Sequence, residues 1–143
     1  MKVKIKRFDK KYPLPAYKTR GAACADVFAR ETITIHPHAV SYIHINFALE
    51  IPEGYWLMLA PRGSTHKRGI MFANGIGIGD WDFCGDNDEY AIAALNFSET
   101  AVTIDAGERI GQIMLMKYEK MEFEEIDHLS TDNRGNFGST GRK

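Results

Sequence analysis

The sequence predicts an all-β domain, and three observations carry that reading. Apolar residues recur at every second position, the apolar runs are short and end in turn chemistry, and helical periodicity is almost absent. Val3 to Arg7 is the first strand-length run and Thr32 to Ile35 the second. The clearest alternation spans Ile43 to Ile51, where Ile43, Ile45, Phe47, Leu49 and Ile51 are separated by His44, Asn46, Ala48 and Glu50. A strand with one buried face requires that spacing. Pro52-Glu53-Gly54 reads as a turn, and the compact run Tyr55 to Ala60, closed by Pro61, is expected to complete a hairpin with the strand before it. Ser64 to Phe72 is the one stretch that supports a brief helix, with Ser64 as N-cap and Gly69 weakening it. Tyr90 to Phe97, Ala101 to Ile104, Ile110 to Tyr118 and Glu122 to Ile126 are the remaining strand candidates. Many short strands with few helical periods predict an antiparallel sandwich, a jelly roll or a closed barrel.

At 143 residues the chain has room for one domain. Apolar residues make up 44% and charged residues 26%, a mix that excludes a disordered tail protein, a collagen-like rod and a disulfide-stapled miniprotein. The 18 Lys and Arg against 19 Asp and Glu leave a net charge of −1, so bulk charge would not draw the protein to nucleic acid or to a membrane. Any anion it binds must be held locally. Cys24 and Cys84 show no CxxC spacing and are expected to be incidental thiols of a reduced protein. The start, MKVKIKRFDKKY, is basic but has no apolar region behind it, and no apolar run approaches the roughly 20 residues of a membrane helix. A cytoplasmic location is expected. The His residues at 36, 38, 44, 66 and 128 have no metal-ligand spacing.

The sequence holds 13 glycines, and most stand in four segments that could approach a ligand. Gly75 to Asp86 (GIGIGDWDFCGD) mixes glycines with Asp80, Asp82 and Asp86. It suits either an acidic hairpin tip, with Asp residues capping turns, or backbone that reaches a ligand directly. On an extended chain Asp80 and Asp82 point to opposite faces, so only one of them serves a given site unless a bulge intervenes. No bidentate Glu stands at the offset a calcium loop needs. Pro61-Arg62-Gly63-Ser64-Thr65 ends a strand and combines a guanidinium with a small backbone and hydroxyls suited to phosphate oxygens. Gly107 to Gln112 (GERIGQ) reads by itself as a turn entering a strand. Asp26 lies among small and apolar residues, where a capping role competes with a metal role. The end of the chain, Ser130 to Lys143 (STDNRGNFGSTGRK), has Phe137 as its single large apolar residue. It is either a solvated tail or, through Arg134 and Gly138-Ser139-Thr140-Gly141, an anion cradle that orders on a ligand. It is not a Walker A loop, because no Gly-Lys-Ser/Thr and no helix follow.

In sequence and in order, CADVFA, PRGST, NGIGIGDWDFCGD, GERIGQ and RGNFGSTG resemble the five motifs of the trimeric dUTPases, from about Cys24 to Gly141. The CGDND variant at Cys84 to Asp88 resembles a branch found in some bacteria and phages. The resemblance implies a distorted jelly-roll-like β barrel over residues 1–128, and a flexible arm over 129–143 that closes over an active site. It implies a homotrimer in which all three subunits contribute to each site, and Mg²⁺-dependent cleavage of dUTP between the α and β phosphorus atoms to give dUMP and pyrophosphate. Asp80 matches the general base that deprotonates the attacking water, with Asp82 at a less constant position. Asn74 and the Gly75 to Gly79 backbone, Gly77 included, match the hairpin that reads the uracil edge. Phe83 stands where most relatives have a Tyr beneath the deoxyribose, and its ring preserves the stacking surface that leaves no space for a 2′-hydroxyl.

Arg62 and Ser64 match phosphate-binding residues, and Gly63 replaces a Ser whose hydroxyl contacts the phosphates near the scissile bond. Its backbone amide can compensate in part, while the loss of one transition-state donor costs about 10²–10³ in turnover. Gln112 matches a phosphate-contacting glutamine, and Arg109 is assigned a structural role. Asp26 matches the acid near the metal and is assigned to its outer shell, through water. In the arm, Arg134 matches the γ-phosphate partner, Phe137 the residue that stacks over uracil, and Gly138, Ser139 and Thr140 the wrap around the terminal phosphate. Other readings are a dCTP deaminase, whose relatives lack this tail motif, and a phage-type regulatory protein with a protein partner and weak hydrolysis, which Gly63 alone favours.

Overall fold

Eleven short strands and one 3-10 turn make up the fold, with no α-helix among the described residues. The computed structural model describes residues 1–131 and 133. The strands are β1 (Lys4–Arg7), β2 (Ala25–Phe28), β3 (Ile33–Ile35), β4 (Val40–His44), β5 (Phe47–Glu50), β6 (Tyr55–Pro61), β7 (Ile70–Phe72), β8 (Gly77–Gly79), β9 (Ala91–Asn96), β10 (Val102–Ile104) and β11 (Arg109–Lys117). All pairings are antiparallel: β1 with β5, β3 with β10, a three-stranded sheet β4-β9-β7 and a four-stranded sheet β2-β11-β6-β8. The sheets wrap one core in which Phe47, Ile35, Ile43, Ile45, Ile70, Ile92, Ile104 and Val27 are almost fully buried. The architecture is an all-β, jelly-roll-like barrel, as expected. No helix among the described residues is long and apolar enough to cross a membrane.

Several local expectations fail for identifiable reasons. Ile43 to Ile51 is not one strand: Asn46 adopts φ 71°, a left-handed conformation, and separates β4 from β5. The local chain compensates, because the Asn46 amide N–H donates to Glu89 Oε1 at 2.9 Å, its Nδ2 donates to the Asp9 carbonyl at 2.9 Å, and its Oδ1 accepts from the Asp9 N–H at 2.7 Å. The hairpin with Tyr55 to Ala60 does not form. Glu50 and Leu49 pair with Lys4 and Ile5, while β6 pairs with β11 and β8. Pro52 has no N–H to extend a ladder between β5 and β6, and their partners lie in different sheets. The expected helix reduces to a 3-10 turn over Thr65–Arg68, stopped by Gly69 at φ 77°, after which β7 begins. Glu122 to Ile126 is not a strand, and Met121, Phe123, Ile126 and Leu129 are exposed. Two further strands, β2 and β8, escape alternation altogether: one is buried on both faces and the other is glycine-rich.

Candidate active site

The first group of functional side chains assembles where β2, β11 and β6 run side by side. Gln112 on β11 stands opposite Asp26 on β2 and opposite Ala60 on β6. The Asp26 side chain is 12% exposed, and a carboxylate so buried needs partners. It has them: Oδ1 accepts from Arg62 Nε and Oδ2 from Arg109 Nη1, both at 3.1 Å. Asp26 thereby fixes two guanidinium groups at the strand ends, and Arg109 fills the structural role expected of it. Gln112 Nε2 donates to the Pro61 carbonyl at 2.9 Å. The loop after β6 is closed reciprocally by Thr65, whose Oγ1 accepts from the Arg62 N–H and whose N–H donates to the Arg62 carbonyl, each at 3.0 Å. The Thr65 hydroxyl, which the sequence groups with those suited to phosphate oxygens, is instead buried and closes this loop. Gly63 and Ser64 sit exposed at the tip, and the Ser64 hydroxyl makes no capping bond. A Cβ built on Gly63 would meet nothing within 4 Å.

The second group runs antiparallel along β6, from Gly75, which shares a cavity with Pro61, Arg62 and Thr65, to Asp80 past the Leu57 end. Gly75, at φ 74°, turns the chain after β7, and Asn74 is exposed on the same turn, its carbonyl accepting from the Ile76 N–H at 2.9 Å. Gly77, Ile78 and Gly79 then pair with Leu59, Met58 and Leu57. β8 is the last strand of its sheet, so its outer backbone edge presents donors and acceptors with no strand beside them among the described residues. Such an edge can read a planar base through main-chain groups. Two of the glycines here also have a packing cause. A Cβ on Gly77 would lie 3.1 Å from Leu59 Cβ, and one on Gly79 only 2.5 Å from Tyr90 Cε1.

Asp80 follows β8 directly, exposed, and its carbonyl accepts from the Phe83 N–H at 3.2 Å. Residues 80–83 thus form a turn, which corrects the extended-chain reading: Asp80 and Asp82 both line a cavity of about 400 Å³ with Trp56, Ile78, Trp81, Tyr118 and Lys120. Asp80 alone of the pair also lines a second cavity, of about 260 Å³, with Ile78, Gly79, Phe83, Glu89, Tyr90 and Ala91. It stands on the ridge between them. Phe83 is 40% exposed, and its ring meets that of the buried Tyr90 edge-on at 5.2 Å. Burial, reinforced by the charges of Asp80, Asp88 and Cys84, pushes the Tyr90 phenol up to about 12.

Glu89, which lines the second cavity, is held from three sides. Its carboxylate accepts from the Asn46 N–H, and Arg30 Nε and His44 Nδ1 lie at ion-pair distances of 3.1 and 3.3 Å, at angles that make no hydrogen bond. No group of three or more His, Cys, Asp or Glu among the described residues could cage a metal ion. Arg134, Phe137, Gly138, Ser139 and Thr140 lie outside the described residues.

Comparison with known proteins speaks to the family and the fold. A family model described as dUTPase matches residues 10–141. A deoxyuridine 5′-triphosphate nucleotidohydrolase of Finegoldia magna is 38% identical, with 99% of each chain covered. One of Hydrogenobaculum sp. is 35% identical over 100% of both. Among solved structures, a mutant Staphylococcus bacteriophage 80alpha dUTPase with dUpNHpp aligns with a TM-score of 0.86 at 20% identity, covering 98% of each chain. A Streptococcus mutans dUTPase aligns at 0.76 and 24%, covering 83% of this chain and 98% of its own. At these identities the structural likeness is one of fold.

Proposed function

The chain belongs to the dUTPase family, and from that premise we propose that it hydrolyses dUTP to dUMP and pyrophosphate in the cytoplasm, with Asp80 as general base. The observation that carries the reading is the position of Asp80, at the end of an edge strand whose outer backbone is unpaired among the described residues and on the ridge between two cavities. Uracil aligned along the β8 edge, with Asn74 and Gly77 contributing, puts its sugar toward Phe83 and its α-phosphate toward Asp80. Asp80 takes the proton of the attacking water, and the pyrophosphate leaves from the opposite side. Fixed main-chain groups reject cytosine, which presents a donor where uracil presents an acceptor, because the mismatch leaves polar atoms unpaired.

Arg62, Ser64, Gln112 and the Gly63 amide serve the phosphates, and Asp26 aims Arg62 at them. Mg²⁺ would neutralise the developing charge on the phosphate oxygens. Each Asp26 oxygen already accepts a guanidinium hydrogen bond, so its remaining lone pairs suit water in the metal's outer shell rather than direct ligation. Arg134, Phe137, Gly138, Ser139 and Thr140 complete the site from the arm over 129–143 by closing on the γ-phosphate and the base.

One chain does not bring these groups to one phosphorus atom. Gly79 pairs with Leu57, which puts Asp80 beside Trp56, and Arg62 lies six residues further along β6. At about 3.3 Å per residue the separation is roughly 20 Å, whereas a base works within about 3 Å of its proton. The exposed Met121, Phe123, Ile126 and Leu129 likewise call for cover from another chain. Both facts support the homotrimer, with Asp80 and the Arg62 loop of different subunits meeting in one site. The likeness to the phage protein assigns this chain no regulatory partner. Pyrophosphate release measured over dUTP, dCTP, dTTP and UTP, with and without Mg²⁺, tests the proposal. Release from dUTP with Mg²⁺, lowered about 10²–10⁴-fold by Asp80→Asn, is expected. Ammonia from dCTP, or equal rates for Asp80→Asn and the parent, would contradict it.

A further inference from the structure

We propose that Tyr90 is the positioning residue that sets the sugar-facing wall of the site, and that through Phe83 it determines the preference for a 2′-deoxyribose over a ribose. The inference rests on the functional reading above, which places Phe83 against the sugar. Tyr90 is 7% exposed and enters the slot left by the missing side chain of Gly79, the residue immediately before Asp80. Its ring packs against Phe47 at 5.7 Å on the core side and against Phe83 at 5.2 Å on the cavity side, edge-on at 72°. One flat, buried ring therefore links the core to the only aromatic side chain that shares the second cavity with it and Asp80.

Tyr90 is itself immobilised from three directions. Its N–H donates to the Phe47 carbonyl at 3.1 Å, its carbonyl accepts from the Ile45 N–H at 3.0 Å, and the preceding Glu89 is tied to Asn46, Arg30 and His44. The phenol oxygen lies 3.5 Å from the Phe83 carbonyl, too long to dominate, so the ring and not the hydroxyl is the working part. A half-exposed phenylalanine without such a prop would sample several rotamers, and a wall that moves admits a hydroxyl.

The test compares kcat and KM for dUTP and UTP in Tyr90→Leu, Tyr90→Met and Tyr90→Phe. Leu and Met remove the flat ring, and Met keeps most of the volume, so that a folded variant is available if Leu fails to fold. We expect the dUTP-over-UTP ratio of kcat/KM to fall about tenfold in Leu and Met, mainly through a lower KM for UTP, and Tyr90→Phe to keep the parent ratio. In a Phe83→Ala background the same substitutions should produce no further fall, because the wall they position is gone. An unchanged ratio in folded Tyr90→Leu or Tyr90→Met, a loss confined to kcat, or an equal further fall in the Phe83→Ala background would overturn the proposal. A parent protein that does not hydrolyse dUTP at all would instead overturn the functional reading beneath it.

Discussion

Asp26 and Gly63 show how far single residues could be understood from the sequence. Asp26 is legible as a buried acid among small residues, but its partners Arg62 and Arg109 come from 36 and 83 positions away, and no local spacing announces them. Asp80 and Phe83 are legible because motif order names them. Tyr90 and Glu89 are not, since Gly79, Phe47, Arg30 and His44 give them their roles only once the chain has folded. Gly63 carries a prediction of its own. Open space surrounds its missing Cβ and its φ is not in the left-handed region, so Gly63→Ser fits without strain. If a hydroxyl there donates to the transition state, kcat for dUTP rises about tenfold or more while the thermal midpoint stays within a few degrees. An unchanged kcat would show that the backbone amide already does that work.

Among the elements, alternation served well where one face is buried and failed where it is not. β9 shows the regular pattern and was placed to within a residue. β2 is buried throughout and β8 is two-thirds glycine, so neither alternates, and the pairing that places β8 at the end of its sheet is a long-range fact. The break at Asn46 has a similar origin: Glu89, 43 residues on, accepts the Asn46 N–H and holds the junction between β4 and β5. Glu89→Gln keeps the size and an acceptor but leaves Arg30 without its counter-charge and His44 without a carboxylate beside it. Because both partners remain partly open to solvent, a loss of about 1–3 kcal/mol is expected, read by urea unfolding at neutral pH. A midpoint equal to the parent's would mean that the junction is held by the backbone bonds alone.

At the scale of the molecule, the proposed reading gives a single small barrel parts of a site rather than a whole one. Composition excluded attraction by bulk charge, and the proposed site answers with local devices: Arg62 held by Asp26, exposed Gly63 and Ser64, and a β8 edge that is unpaired among the described residues. The jelly-roll class was legible from short strands, and the order of the motifs from the sequence. Their separation along β6 was not, because it depends on the pairing of β8 with β6. The most direct measurement is complementation. Asp80→Asn and Arg62→Ala chains, each inactive alone, are mixed in equal amounts, unfolded and refolded together, and assayed for pyrophosphate release from dUTP. With Asp80 and Arg62 of each site drawn from different subunits, random assembly restores about a quarter of the parent activity. Activity no higher than that of the separate variants would contradict a site shared between chains.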